Sequence, residues 1–132
     1  MSEVRTVVVE RDFPHQPEKL WRALTQPHLL SEWLMQSDFL PNMGHSFRFT
    51  AEWGSVECRV KQIEPNRTLS YSWDAYGLES TVTWTLTPTP SGTLLRMEQT
   101  GFRPDQNQAY HGARMGWRAF LDKLDALLER TD

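Results

Sequence analysis

Four histidines, His15, His28, His45 and His111, and a single cysteine, Cys58, are the side chains with the readiest reach for metal or nucleophilic chemistry. Their spacing works against both. No two histidines stand at the four-residue interval that puts a ligand pair on one helix face, and a lone thiol cannot complete a zinc site. Cys58 lies in an alternating stretch with no histidine near it in sequence, which removes the usual partner of a catalytic thiolate. Neither a Gly-x-Ser-x-Gly elbow nor a phosphate-cradling glycine loop is present. A general acid or base would need a carboxylate inside a pocket, and strand alternation turns Glu98 outward. No catalytic residue, metal ligand or cofactor site is therefore expected.

What the chain does have is indole: 6 tryptophans in 132 residues. Trp33, Trp73, Trp84 and Trp117 fall on faces predicted to point inward. Aromatic rings dominate core burial in any protein, so these four either fill a core or line a cavity able to stack on a ring-containing molecule. Tyr71 and Gln99 are predicted to point the same way. An inward hydroxyl and an inward amide must find partners, which protein, water or a ligand can supply.

The elements that position these groups follow from periodicity. Residues 4 to 11, VRTVVVER, are β-branched and stop at Phe13-Pro14, which reads as a strand. Two short helices come next. PEKLWRALT starts on Pro17, and PHLLSEWLM starts on Pro27 after a cap at Thr25 or Gln26. Residues 35 to 44 read as a loop. The period then becomes two, and five strands follow, with turns at Trp53-Gly54, Glu64 to Arg67, Tyr76-Gly77 and Pro88 to Gly92. A phase slip at Ile63 predicts a bulge. Short connections force antiparallel pairing, and alternation leaves one apolar face to be covered. The cover is a C-terminal helix opened by Asp105 and Gln108 as cap and capping box, with Ala113, Trp117, Phe120, Leu121, Leu124, Leu127 and Leu128 as its apolar stripe. At about 1.5 Å per residue it is roughly 35 Å long, enough to cross the sheet.

Side-chain size along that helix is graded. Ala109, Gly112, Ala113 and Gly116 occupy its first turns, and large leucines come only after Trp117. A twisted sheet curls away from a straight helix, so this gradient predicts a closed core at the C-terminal end and a gap near the start, under the turns and the second short helix. The alternative is that the glycines only let helix and sheet approach closely.

Bulk properties narrow the class. The length suits one domain, 1–132, with one core. A net charge of −3 without a Lys/Arg block gives little reason to bind nucleic acid. No run approaches the roughly 18 apolar residues of a membrane span, and MSEVRTVVVERDF carries charges where a signal peptide needs apolar residues. A cytoplasmic location is expected, and a single cysteine agrees with it.

Four segments in order, ERDFPHQPEKLWRALTQPHLLSEWL, EPNRTLSYSW, VTWTLTPTPSGTLLRMEQTGF and GWRAFLDKLDALLE, resemble the bacterial homologues of the activator of the heat-shock-protein-90 ATPase, within the START-like (SRPBCC) superfamily. The resemblance implies an α+β helix-grip fold: a curved six-stranded antiparallel sheet wrapped around a long C-terminal helix, with two short helices after strand one. It implies that Trp33 lies near a cavity mouth and that Tyr71, Trp73, Val82, Trp84, Leu95, Met97 and Trp117 face the cavity. Gln99 stands where many relatives carry histidine, which weakens any imidazole chemistry there. The residues expected to line the cavity are Trp33, Phe49, Tyr71, Trp73, Trp84, Met97, Gln99, Gly116 and Trp117. The function so implied is binding of a small hydrophobic molecule, aromatic or lipid-like. The alternatives are partnership with a heat-shock chaperone and a cyclase- or aromatase-type enzyme.

Overall fold

The computed structural model describes residues 4–131, and its order is β1 (Arg5–Phe13), α1 (Pro17–Thr25), α2 (Pro27–Trp33), β2 (Gln36–Ser37), β3 (Ser46–Ala51), β4 (Gly54–Glu64), β5 (Thr68–Ala75), β6 (Leu78–Thr89), β7 (Gly92–Phe102) and α3 (Asn107–Glu129). The seven strands form one sheet in the order β1-β7-β6-β5-β4-β3-β2. Every neighbouring pair is antiparallel. Six strands were expected. The seventh, β2, is only two residues long, inside the stretch read as a loop, and pairs Gln36 and Ser37 with Thr50 and Phe49. Two residues carry no alternation, so nothing in the local pattern could announce it.

Pro17 and Pro27 open α1 and α2, where a missing N–H costs nothing. Gln26 joins them through its backbone: its N–H donates to the Arg22 carbonyl, and its own carbonyl accepts from Leu29 and Leu30. The expected side-chain cap is absent, because the Thr25 hydroxyl donates back to the Trp21 carbonyl at 2.7 Å. The strand periods are as expected. The bulge lies at Lys61, between Val60 and Gln62, slightly before the predicted Ile63.

On the concave side of the sheet α3 buries Trp117, Leu121, Leu124, Leu127 and Leu128, while Ala113 and Phe120 are half-buried. The expected Asp105 capping box is replaced by another arrangement. Gln106 is the N-cap residue, its side-chain oxygen accepts from the Arg103 N–H at 2.8 Å, and Asp105 pairs with Arg103. The far end of α3 is held by Lys19, whose Nζ donates to the carbonyls of Leu128 and Thr131, both at 2.7 Å. A cation there also satisfies carbonyls that the helix leaves open. Ion pairs Arg11–Asp122 and Arg130–Glu32 tie the same half of α3 to β1 and α2. The first half of α3 has fewer such ties. No described helix is long and apolar enough to cross a membrane.

Candidate functional site

The small residues at the start of α3 recur at helical spacing, so Ala109, Gly112, Ala113 and Gly116 share one face. Opposite them stand Trp73 near the end of β5, Leu78 at the start of β6 and Gln99 of β7, and Trp117 and Phe120 close the far end. Between these residues lies a groove of about 210 Å³. A Cβ placed on Gly112 or on Gly116 meets no atom within 4 Å. The glycines are thus not contacts that let backbone approach backbone. They leave space.

The groove's wall is rigidly built. Trp117 Nε1 donates to Gln99 Oε1 at 2.7 Å, Gln99 Nε2 donates to Ser80 Oγ at 3.0 Å, and Ser80 Oγ donates to the Trp73 carbonyl at 2.7 Å. This chain fixes the Trp117 indole and the Gln99 amide and ties them to the Trp73 backbone, with the Trp73 and Trp117 rings 5.1 Å apart and inclined at 58°. Gln99, only 2% exposed, spends one N–H and one lone pair on these bonds. An amide has two of each, so one donor and one acceptor position remain.

Behind this wall the interior is closed by further rings. Trp84 meets Trp117 edge-on at 5.5 Å, and Trp33 meets Trp84 edge-on at 5.8 Å. Phe49 lies 5.4 Å from Trp73 and 5.9 Å from Tyr71. Their polar atoms are used within the protein: Trp33 Nε1 donates to the Ala23 carbonyl at 2.8 Å, and Trp84 Nε1 donates to the Tyr71 hydroxyl at 2.9 Å. Met97 is fully buried beside them. Of the nine residues expected around a cavity, Trp73, Gln99, Gly116 and Trp117 border the groove, whereas Trp33, Phe49, Tyr71, Trp84 and Met97 form the packed layer behind it. The expected gap therefore exists at the small-residue end of α3, but it does not extend beneath α2, where Trp33 fills the space.

Leu78 and Phe120 border the groove without having been singled out for it. Leu78 follows the Tyr76-Gly77 turn, where alternation is only beginning. Phe120 was legible as part of the helix stripe, and its place four residues after Gly116, on the face of the small residues, would have pointed to the groove end. Among the described residues, none that borders the groove carries an ionisable side chain able to act as acid or base. Two buried titratable groups of the core, Tyr71 and Cys58, are held neutral. Burial pushes the Tyr71 hydroxyl far above its ordinary range against a smaller opposing effect of the Trp84 hydrogen bond, and burial likewise raises the Cys58 thiol, helped by Asp74 and Glu57. Among the described residues no cluster of His, Cys, Asp and Glu is placed to hold a metal.

A curved antiparallel sheet gripping one long C-terminal helix, with two helices inserted after the first strand, defines a START-like helix-grip protein. Within that class the chain belongs to the activator of Hsp90 ATPase homolog 1-like protein family, whose model matches residues 14–129. A solved structure of a Mesorhizobium loti protein is 61% identical over 97% of this chain and 99% of its own, with a TM-score of 0.94. DynU16, from the dynemicin biosynthetic locus, is 26% identical with a TM-score of 0.86, and the match covers 95% of this chain and 47% of that one. CalU16 from Micromonospora echinospora shares the fold, with a TM-score of 0.82 at 20% identity over 98% of this chain and 87% of that one. No curated protein matches the chain.

Proposed function

We propose that this protein binds a small apolar molecule carrying rings, seated in the groove between the first half of α3 and the β5–β6 hairpin. The observation that carries this reading is the open space at Gly112 and Gly116. Glycine inside a helix costs about 0.8–1 kcal/mol relative to alanine. Here two such positions face a groove, and neither has a neighbour that would demand a missing side chain. Trp73, Trp117, Leu78 and Phe120 supply apolar contact, and the unspent donor and acceptor positions of Gln99 supply the single polar anchor. Trp33, Phe49, Tyr71, Trp84 and Met97 act as the stiff backing that holds the indoles in place. The space is below the roughly 300 Å³ of ordinary ligand sites, so it suits a ring head, with the remainder of the molecule outside. Kinship with a protein of a biosynthetic locus agrees with a small-molecule guest.

The test is a tryptophan-fluorescence titration with the flavonol quercetin on the parent protein and on Gly116→Leu, which fills the groove from the helix side. Saturable quenching should weaken at least about tenfold in Gly116→Leu, the order of a 1.4 kcal/mol loss. Arg118→Leu, on the exposed side of the same helix, should titrate like the parent. Equal affinity in the parent and Gly116→Leu would move the site elsewhere.

A further inference from the structure

Outside the groove just described, and sharing Leu78 and Ala109 with it, lies a second recess of about 540 Å³. One wall is aromatic: Trp53 from the β3–β4 turn and Tyr76 from the β5–β6 turn, with ring centres 5.9 Å apart. The opposite wall is polar and comes from Asp105, Gln106, Asn107 and Gln108.

The aromatic wall is exposed, yet it is held in place. Trp53 is 53% and Tyr76 78% exposed. The Tyr76 hydroxyl donates to the Trp53 carbonyl at 2.6 Å, fastening one hairpin tip to the other. A Cβ on Gly54 would lie 2.2 Å from that hydroxyl, so the fastening needs glycine there. The Tyr76 ring, pinned through its hydroxyl, and the Trp53 indole beside it form an exposed stacking surface at the mouth of an apolar groove, and displaying them brings no core burial in return. The facing wall is rich in amides and nearly neutral. Asp105 is offset by Arg103 at 3.3 Å, the Asn107 oxygen accepts from Arg5 while its NH₂ is unspent, and Gln108 has no partner among the described residues. Amide donors and acceptors without net charge match hydroxyl groups better than a phosphate or a carboxylate.

We infer that the recess receives a hydroxyl-rich, uncharged ring substituent, a sugar in chemical terms, on a molecule whose apolar rings occupy the inner groove. The preferred ligand class is thus the glycoside of a small ring compound. The inference rests on the groove reading above. It adds that the ligand is two-part, with the sugar's apolar face on Trp53 and Tyr76 and its hydroxyls toward Asn107 and Gln108.

The experiment compares quercetin with its mono-glucoside isoquercitrin by isothermal titration calorimetry, on the parent protein, Trp53→Ala and Gly116→Leu. The glucoside should bind about three- to tenfold more tightly than quercetin to the parent, the size of one aromatic contact. Trp53→Ala should erase that preference and leave quercetin affinity within about twofold, since Trp53 does not border the inner groove. Gly116→Leu should weaken both. Equal affinities in the parent, or a preference that survives Trp53→Ala, overturn the sugar inference and leave the groove reading standing. Failure of quercetin itself to bind overturns both.

Discussion

Tyr71 carries one hydroxyl into a fully buried setting, where its oxygen accepts the Trp84 indole N–H. Removing that oxygen leaves the ring packing intact but strands a buried donor, which costs the donor's desolvation rather than the modest value of a hydrogen bond. Tyr71→Phe should therefore lose about 1–3 kcal/mol of stability in urea unfolding, with little change in near-ultraviolet ring signals. A loss below a few tenths would mean the indole finds another acceptor. The inward direction of Tyr71 was legible from alternation along β5, but its partner was not. Tyr71 pairs with Val82 and Leu69 with Trp84, so the two side chains are diagonal neighbours across strands, and such neighbours appear only once register is set. The same holds for Gln99, whose amide meets an indole on a helix 18 positions further along the chain.

At the scale of elements, size along α3 was the informative quantity, and hydrophobic period alone would have missed it. The leucines after Trp117 close the core, and the small residues before it leave the groove. Two glycine substitutions separate open space from close approach. Gly112→Ala adds a methyl that meets nothing and improves helix propensity, so it should raise stability by about 0.5–1 kcal/mol. Gly92→Ala puts a Cβ 2.0 Å from the Phe13 carbonyl oxygen, where backbone itself must move, and should lose about 1–3 kcal/mol or more. Thermal unfolding of the pair reads both signs, and a destabilised Gly112→Ala would mean the helix is packed more tightly there. Strand β2 was illegible because it depends on partners supplied from elsewhere, Thr50 and Phe49, rather than on its own sequence pattern. The start of α3 was read one residue early, at Asp105, because Asp105 pairs with Arg103 and leaves the N-cap position to Gln106.

For the molecule as a whole, the order of elements could be read because each carries its own period and its own proline or glycine boundary. A gap reaching under the second short helix was expected, and there the indoles interlock instead, since whether rings interlock or stand apart depends on angles that no spacing encodes. Global stability should also respond to alkali. Tyr71 and Cys58 both have folded-state pKa values raised by burial, so the folded chain keeps protons that the unfolded chain releases above its ordinary cysteine and tyrosine values of about 8.5 and 10. Their stabilisation is complete below that range and declines as pH rises through it, by up to about 1.4 kcal/mol per pH unit for each group. Urea midpoints from pH 7 to pH 10.5 should fall accordingly, and Tyr71→Phe should flatten the upper part of the curve; an unchanged slope in that variant would remove Tyr71 from the account. The interlocked indoles have an optical consequence as well. Trp33, Trp84, Trp117 and Trp73 form a continuous relay with steps of 5.8, 5.5 and 5.1 Å. At such spacing an absorbed photon hops between chromophores before it is emitted. An acceptor touching only the last ring of the relay would then darken the emission of all four.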